Sequence, residues 1–177
     1  MYGLTPGGNS GSALHDAAHP KVPIKVDVTP VDAQIVEDLV RWMRPADMEE
    51  IGRYTEDSPV AHLMEQVERS IVCRAGFVNG ELLACWGLWP INLLQGVGHG
   101  WCYSAKAVER YPKTFFARCK VELAELQRVC PLVVACVDLE YTRARAWLER
   151  LGFVERTQRR SPRGHPFVLM EARRHET

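Results

Sequence analysis

The stretch Val137 to Phe153 narrows most what this chain can fold into. It reads as a strand end, a short turn, an amphipathic helix and a Gly-Phe exit into another strand. Ala144, Trp147, Leu148 and Leu151 recur at helical spacing and make one apolar face, while Arg143, Arg145, Glu149 and Arg150 take the other. Gly152 stands where a helix stops on a residue tolerant of positive φ. Phe153 and Val154 return the chain to a core. Immediately upstream, Leu132 to Val137 is a continuous apolar run rich in β-branched residues, the pattern of a central strand.

The rest of the chain can be placed around this unit. Ile24 to Val28 alternates as a first strand, and Thr29-Pro30-Val31-Asp32 reads as a helix start, with Thr29 as cap. Val31, Ile35, Val36, Leu39, Trp42 and Met43 form the buried stripe of that helix. A short second helix spans 46–52. Ser58-Pro59 opens a third, running to about Ser70. At Ser70 the period changes from helical to alternating. Ile71 to Val78 and Glu81 to Trp89 are strands joined by Asn79-Gly80, a two-residue hairpin loop in which both positions need positive φ. Pro90 is read as the end of the second of these. Gln95 to Ser104 is another strand, whose glycines suggest a bulge or a close backbone approach. A long helix covers 113–128. Two closing strands, Phe153 to Arg156 and Phe167 to Ala172, flank an arginine-rich loop, 157–165. The order is β-α-α-α-β-β-β-α-β-α-β-β, an α+β arrangement on a mixed β-sheet flanked by helices.

Composition sets few limits. At 177 residues the chain suits one domain over 23–174, preceded by an arm, 1–22, rich in Gly, Ser, Ala, His and Pro. Basic and acidic residues balance at 22 each, so net charge points to neither nucleic acid nor membrane. The charge is uneven, with a net of −6 over 31–70 and +4 over 150–177. None of the six cysteines forms a CxxC, and no Cys/His set has zinc spacing, so they read as small core residues in a reducing compartment. No metal site is expected. No apolar run reaches membrane-spanning length, and no signal-peptide pattern is present. Asp47, Glu49 and Glu50 read as a solvated helix face.

The element order resembles the GNAT (Gcn5-related N-acetyltransferase) fold over residues 24–172. In the late signature of that fold an Asn follows the fifth strand, with an Ala three residues on, a Tyr four further and then Gly-Phe. Here Ala144, Gly152 and Phe153 match, while Tyr141 replaces the Asn and Leu148 replaces the general-acid Tyr. The fold's glycine-rich phosphate loop aligns with Arg110-Tyr-Pro-Lys-Thr-Phe115, which has neither glycine. A closer resemblance rests on Arg44-Pro-Ala-Asp-Met-Glu-Glu-Ile51, Ser58-Pro59, Asn79-Gly80, Gly100-Trp101, Ala146-Trp147-Leu148 and Leu151-Gly-Phe153. Their order and spacing are similar to GNAT-like internal virion proteins of short-tailed bacteriophages and prophages.

That second resemblance implies a virion-associated protein, in the virion or the bacterial host cytoplasm, lacking efficient acetyl transfer and working with other virion proteins. The alternative is an active acetyl-CoA-dependent N-acetyltransferase with a divergent phosphate loop. His99 and Tyr103 alternate with Trp101 on one strand, and are candidates for base and acid, set against plain aromatic packing. Cys102, Tyr103, Arg110 and Lys113 are the cofactor-side candidates. Arg156, Arg159, Arg160 and Arg163 can meet nucleic-acid phosphates, or equally an acidic protein surface.

Overall fold

The computed structural model describes residues 23–174; the N-terminal arm, 1–22, lies outside them. Seven strands form one mixed sheet in the order β1-β2-β3-β4-β5-β7-β6. These are β1 (Val26–Pro30), β2 (Val72–Val78), β3 (Glu81–Asn92), β4 (Val97–Ser104), β5 (Leu132–Asp138), β6 (Val154–Arg160) and β7 (Pro166–Arg173). The helices are α1 (Ala33–Trp42), α2 (Pro45–Tyr54), α3 (Pro59–Arg69), α4 (Pro112–Val129) and α5 (Thr142–Arg150), with a single 3₁₀ segment, Lys106–Arg110, ahead of α4. Every neighbouring pair of strands is antiparallel except β4 and β5. The α+β mixed sheet expected from the sequence is therefore present. Among the described residues, no helix is long and apolar enough to cross a membrane.

Alternation along the strands sorts side chains onto two faces. Ala84, Trp86 and Leu88 of β3, Val133, Ala135 and Val137 of β5, and Val168 and Met170 of β7 make one cluster with Leu126 of α4 and Leu148 of α5. Ala75, Cys85 and Trp101 pack on the opposite face with Val36 and Leu39 of α1, Ile51 of α2 and Leu63 of α3. Val36, Leu39 and Leu63 lose all solvent contact. Burial of each stabilises by roughly 1.5–3 kcal/mol before the entropy of ordering is counted.

The Val137–Phe153 unit folds as its pattern requires. Gly152 has φ 98, and its N–H donates to the Glu149 carbonyl while the Phe153 N–H reaches back to Leu148. These are the paired bonds of a Schellman stop, which satisfy carbonyls that the helix end leaves free. Trp147 stacks on Phe115, ring centres 5.8 Å apart, and so joins α5 to α4. The Asn79-Gly80 loop has φ 51 and 80, as the hairpin needs.

Three boundaries differ from the sequence expectation. Pro30 closes β1 instead of opening a helix, and Asp32, not Thr29, caps α1 by accepting from the Ile35 N–H at 2.8 Å. The expected Thr29 cap is lost because Thr29 pairs with Ala75 in the sheet, which delays the helix start to Asp32. Pro90 does not end β3, because the ladder passes it with a register shift before Asn92. The closing loop shrinks to a turn, so Arg159 and Arg160 join Arg156 on β6 and only Arg163 lies in the turn itself. Polar edge strands lack the hydrophobic alternation by which a strand is recognised.

The glycines of β4 make room for side chains of neighbouring strands, since a Cβ on Gly98 would meet Leu88 and one on Gly100 would meet Val133, each at 2.8 Å, and backbone itself approaches closely at Gly87 of β3. A Cβ on Gly87 would sit 2.7 Å from both the Trp101 indole nitrogen and the Val72 carbonyl. Backbone cannot yield as a side-chain tip does. Gly87→Ala is expected to destabilise by about 1–3 kcal/mol in urea unfolding, with the slope of the transition unchanged.

Candidate functional site at the parting of two strands

β4 and β5 pair through only three positions, Val97 with Leu132, Gly98 with Val133 and His99 with Val134. Each strand is paired along its full length on its other side, β4 by β3 and β5 by β7. Beyond His99 and Val134 the two edges therefore face each other without a strand partner. A cleft of about 1280 Å³ occupies this parting and is lined from both faces of the sheet, by α2 and α3 on one side and by α4 and α5 on the other. Facing strand edges with free N–H and C=O groups suit an extended polar ligand.

Helix α2 closes the far end of the parting. Pro45 occupies its first position, where the missing N–H costs nothing. Asp47 and Glu50 are three residues apart and so lie on one helix face. Asp47 accepts from the Ser104 N–H at 2.8 Å and the Ser104 hydroxyl at 2.9 Å, at the end of β4. Glu50 accepts from the Asp138 N–H at 2.8 Å, at the end of β5. One carboxylate thus caps each diverging strand. Arg44 holds Asp47 from the helix start at 3.0 Å, and Tyr141 closes from α5, donating its hydroxyl to Asp47 at 2.9 Å. Arg53 binds Asp138 and, at 3.2 Å, Glu140.

The electrostatics follow from burial. Loss of water raises the Glu50 carboxyl to about 8, with the Asp138 N–H opposing and the charges of Asp47 and Asp138 adding to the rise. A carboxyl titrating there exchanges protons readily near neutral pH. Burial, then the Asp47 charge, pushes the Tyr141 phenol above its ordinary range. The reading of Asp47 and Glu50 as a solvated helix face is thus corrected. Asp47 is 3 % exposed, and of the trio only Glu49 stays in solvent. Pro45-x-Asp-x-x-Glu carries no sign of burial, because its bonding partners come from strands more than fifty residues away.

The sequence candidates fall into two groups. His99, Trp101 and Tyr103 share the α1–α3 face as expected. His99 lies stacked on Trp89 at 4.5 Å, and Arg69 also lies over that indole at 4.0 Å. Burial, assisted by Arg69, lowers its imidazole to about 4, so it stays neutral and is a weak base. Tyr103 bonds the His62 ring nitrogen at 3.0 Å, and burial raises its phenol well above the ordinary value. Both residues line the cleft. Cys102 points to the opposite face, toward α4, and burial pushes its thiol up to about 12, which leaves it a poor nucleophile. Arg110 is turned to Glu81 and does not line the cleft, whereas Lys113 does.

More cations stand on that side than the sequence candidates included. Lys120 and Arg150 lie 5.0 and 4.7 Å from the Phe116 ring centre, and Arg143 reaches only a 4.0 Å contact with Glu109. Among the described residues, Lys113, Lys120 and Arg150 have no carboxylate within ion-pair distance. The Trp147 indole N–H is buried at the cleft without an acceptor. On the hairpin, by contrast, Arg156 pairs with Glu171 at 3.0 Å, Arg160 donates to the Gly164 carbonyl at 2.7 Å, and Arg163 binds the Gly52 carbonyl. Ser161 also donates to the Arg53 carbonyl at 2.8 Å, so the hairpin is docked on α2.

No protein-family model and no curated protein matches the sequence. Solved structures do match the fold. The ribosomal-protein-S18-alanine N-acetyltransferase from Escherichia coli aligns at a TM-score of 0.63 with 15% identity, over 86% of this chain and 96% of that one. The aminoglycoside acetyltransferase AAC(6')-Ib, solved with coenzyme A, aligns at 0.64 with 17% identity over 85% and 95%. An acetyltransferase of the GNAT family from Streptococcus pneumoniae aligns at 0.55 with 10% identity over 85% and 100%. A seven-stranded mixed sheet flanked by five helices, matched to these proteins along most of its length, is the GNAT acetyltransferase fold.

Proposed function

We propose that the protein is an acetyl-CoA-dependent N-acetyltransferase that holds its donor by side chains instead of a glycine cradle. The parting of β4 from β5 carries this reading. It gives one cleft two unpaired strand edges, a poised carboxyl at the far end and unpaired cations along one side. The neighbour AAC(6')-Ib was solved with coenzyme A, which supports the same donor here.

The residues present fit such a donor. α4 begins without a side-chain cap, and Pro112 at its start removes only an N–H that the helix could not use. Lys113, Lys120, Arg143 and Arg150 supply the positive charge that phosphates need, and the orphaned Trp147 N–H offers one further donor. When bound, the thioester supplies an activated acyl group. The chain's own part is to hold the acceptor amine on the α2–α3 side and take its proton. Glu50 is the base on this reading, since His99 is too weakly basic and Tyr103 is committed to His62.

Calorimetric titration with acetyl-CoA tests the donor site. Lys113→Ala/Arg150→Ala is expected to weaken binding about tenfold to a hundredfold and to flatten its salt dependence. Arg110→Ala is expected to leave binding unchanged, because its partner is Glu81. Equal losses from both variants would refute the assignment.

A second reading is the virion-associated protein without efficient transfer. It draws on the short-motif resemblance and on Leu148, which is packed in the core where a tyrosine acid would be needed. The open cleft favours the first reading. If a nucleic acid is a partner, Arg159 is the hairpin arginine left to meet it.

A further inference from the structure

Glu50 and Tyr141 line the cleft and also a second, smaller cavity of about 230 Å³. They are the two residues that both cavities share. The small cavity lies among α2, the end of β5 and the start of α5, and its other walls include Ala46, Glu49, Asp138 and Glu140. Glu49 is exposed, and the Glu140 side chain is 70% exposed, so the cavity leads to solvent past two carboxylates.

The chemistry of transfer needs such a way out. An amine in water at neutral pH is an ammonium ion. When its nitrogen bonds the acyl carbon and the carbon–sulfur bond breaks, ammonium and thioester become amide, thiol and one free proton. With donor and acceptor both in the cleft, that path to water is covered. We propose that the small cavity is the proton exit, with Glu50 accepting the proton on its cleft side and releasing it to water on the other. This inference rests on the transferase reading and adds to it a route that the fold alone does not supply.

Both shared residues are held in place. The Asp138 N–H fixes one Glu50 oxygen at 2.8 Å, and Tyr141 is tied to Asp47 at 2.9 Å. The charged and titratable groups around Glu50 are Arg44 just ahead of α2, Asp47 and Arg53 of α2, Tyr103 of β4, Cys136 and Asp138 of β5, and Tyr141. Arg53 is engaged by Asp138 and Glu140, which leaves Glu49 and the free Glu140 oxygen to receive protons at the rim.

Ala46 lines the small cavity and not the cleft, so Ala46→Phe fills the exit without touching bound substrate. Two readouts decide the matter. In the ligand-free protein, the Glu50 carboxyl titration is followed by carbon-13 NMR with a Glu50→Gln control for assignment. Loss of cavity water is expected to move the midpoint up by about one unit. In turnover, kcat is expected to fall about tenfold with KM for acetyl-CoA unchanged, and Ala46→Ser to behave as wild type. If Ala46→Phe does not fold, Glu49→Gln/Glu140→Gln is expected to lower kcat in the same way. Transfer at the wild-type rate with an unmoved midpoint in Ala46→Phe, or at the wild-type rate in the double variant, would overturn the exit and leave the transferase standing. A wild-type protein that binds no acetyl-CoA and transfers nothing would overturn both.

Discussion

Glu50→Gln is expected to lower acetyl transfer by about 10²–10⁴-fold while making the protein more stable in mild alkali. The two effects have one cause. Glutamine keeps the acceptor oxygen for the Asp138 N–H, so the geometry at the end of β5 survives. What disappears is the ability to carry a proton. In the folded state the carboxyl titrates at about 8, against an ordinary value of 4.5. Between those values the folded protein binds a proton that the unfolded chain does not. The neutral group's contribution to stability is therefore full below about 4.5 and is lost as pH rises through about 8. Chemical unfolding at pH 9 should show the variant ahead of wild type by a few kcal/mol, and at pH 4 the two should coincide. kcat should fall with acetyl-CoA affinity unchanged, since the cations proposed to hold the donor stand on the α4–α5 side. A variant as active as wild type would remove Glu50 from the chemistry.

Asp47→Ala should be the most damaging single truncation at the site, by about 3–5 kcal/mol. The carboxylate is 3 % exposed and receives Arg44, both Ser104 donors and Tyr141. Alanine leaves the Arg44 charge half-buried and several donors unsatisfied at once. Breaking such a cluster costs more than its net contribution, because the abandoned groups cannot return to water. For a chain of this size the thermal midpoint should drop by roughly 10 °C. Asp47→Asn keeps acceptors for Ser104 and Tyr141 and should lose less. Scanning calorimetry of the two variants checks this, and equal, small losses would show that Asp47 does not hold the parting together.

The fold was legible because its signals are local. Ser58 caps α3 through its side chain and Pro59 starts it, while Asn79-Gly80 turns the first hairpin and Gly152 stops α5 at positive φ, a backbone conformation that few residues accept. The apolar faces of α4 and α5 and the buried run of β5 then leave little choice of layers. The site was legible only in part. Lys113 at the start of α4 and the alternation of His99 with Tyr103 on β4 could be placed from sequence alone, though not their partners. Asp47 and Glu50 were passed over because a carboxylate on a helix reads as solvated until the strand ends it caps are known. Alignment with a phosphate loop points Arg110 to the cofactor, yet Glu81 at the start of β3 takes it instead.

Tyr141 and Leu148 show the same divide. The helical pattern places both correctly in the Val137–Phe153 unit, and Leu148 is core, as its spacing requires. Spacing could not reveal that the Tyr141 hydroxyl would cross to α2.

The central claim is that acetyl-CoA occupies the parting between β4 and β5. Backbone amide NMR with coenzyme A added to the labelled protein tests it most directly. The resonances of Gly100 to Tyr103 and Ala135 to Val137 are expected to move together and saturate at micromolar ligand, with Lys113 and Thr114 following. Unmoved resonances on both strand edges at millimolar coenzyme A would contradict it.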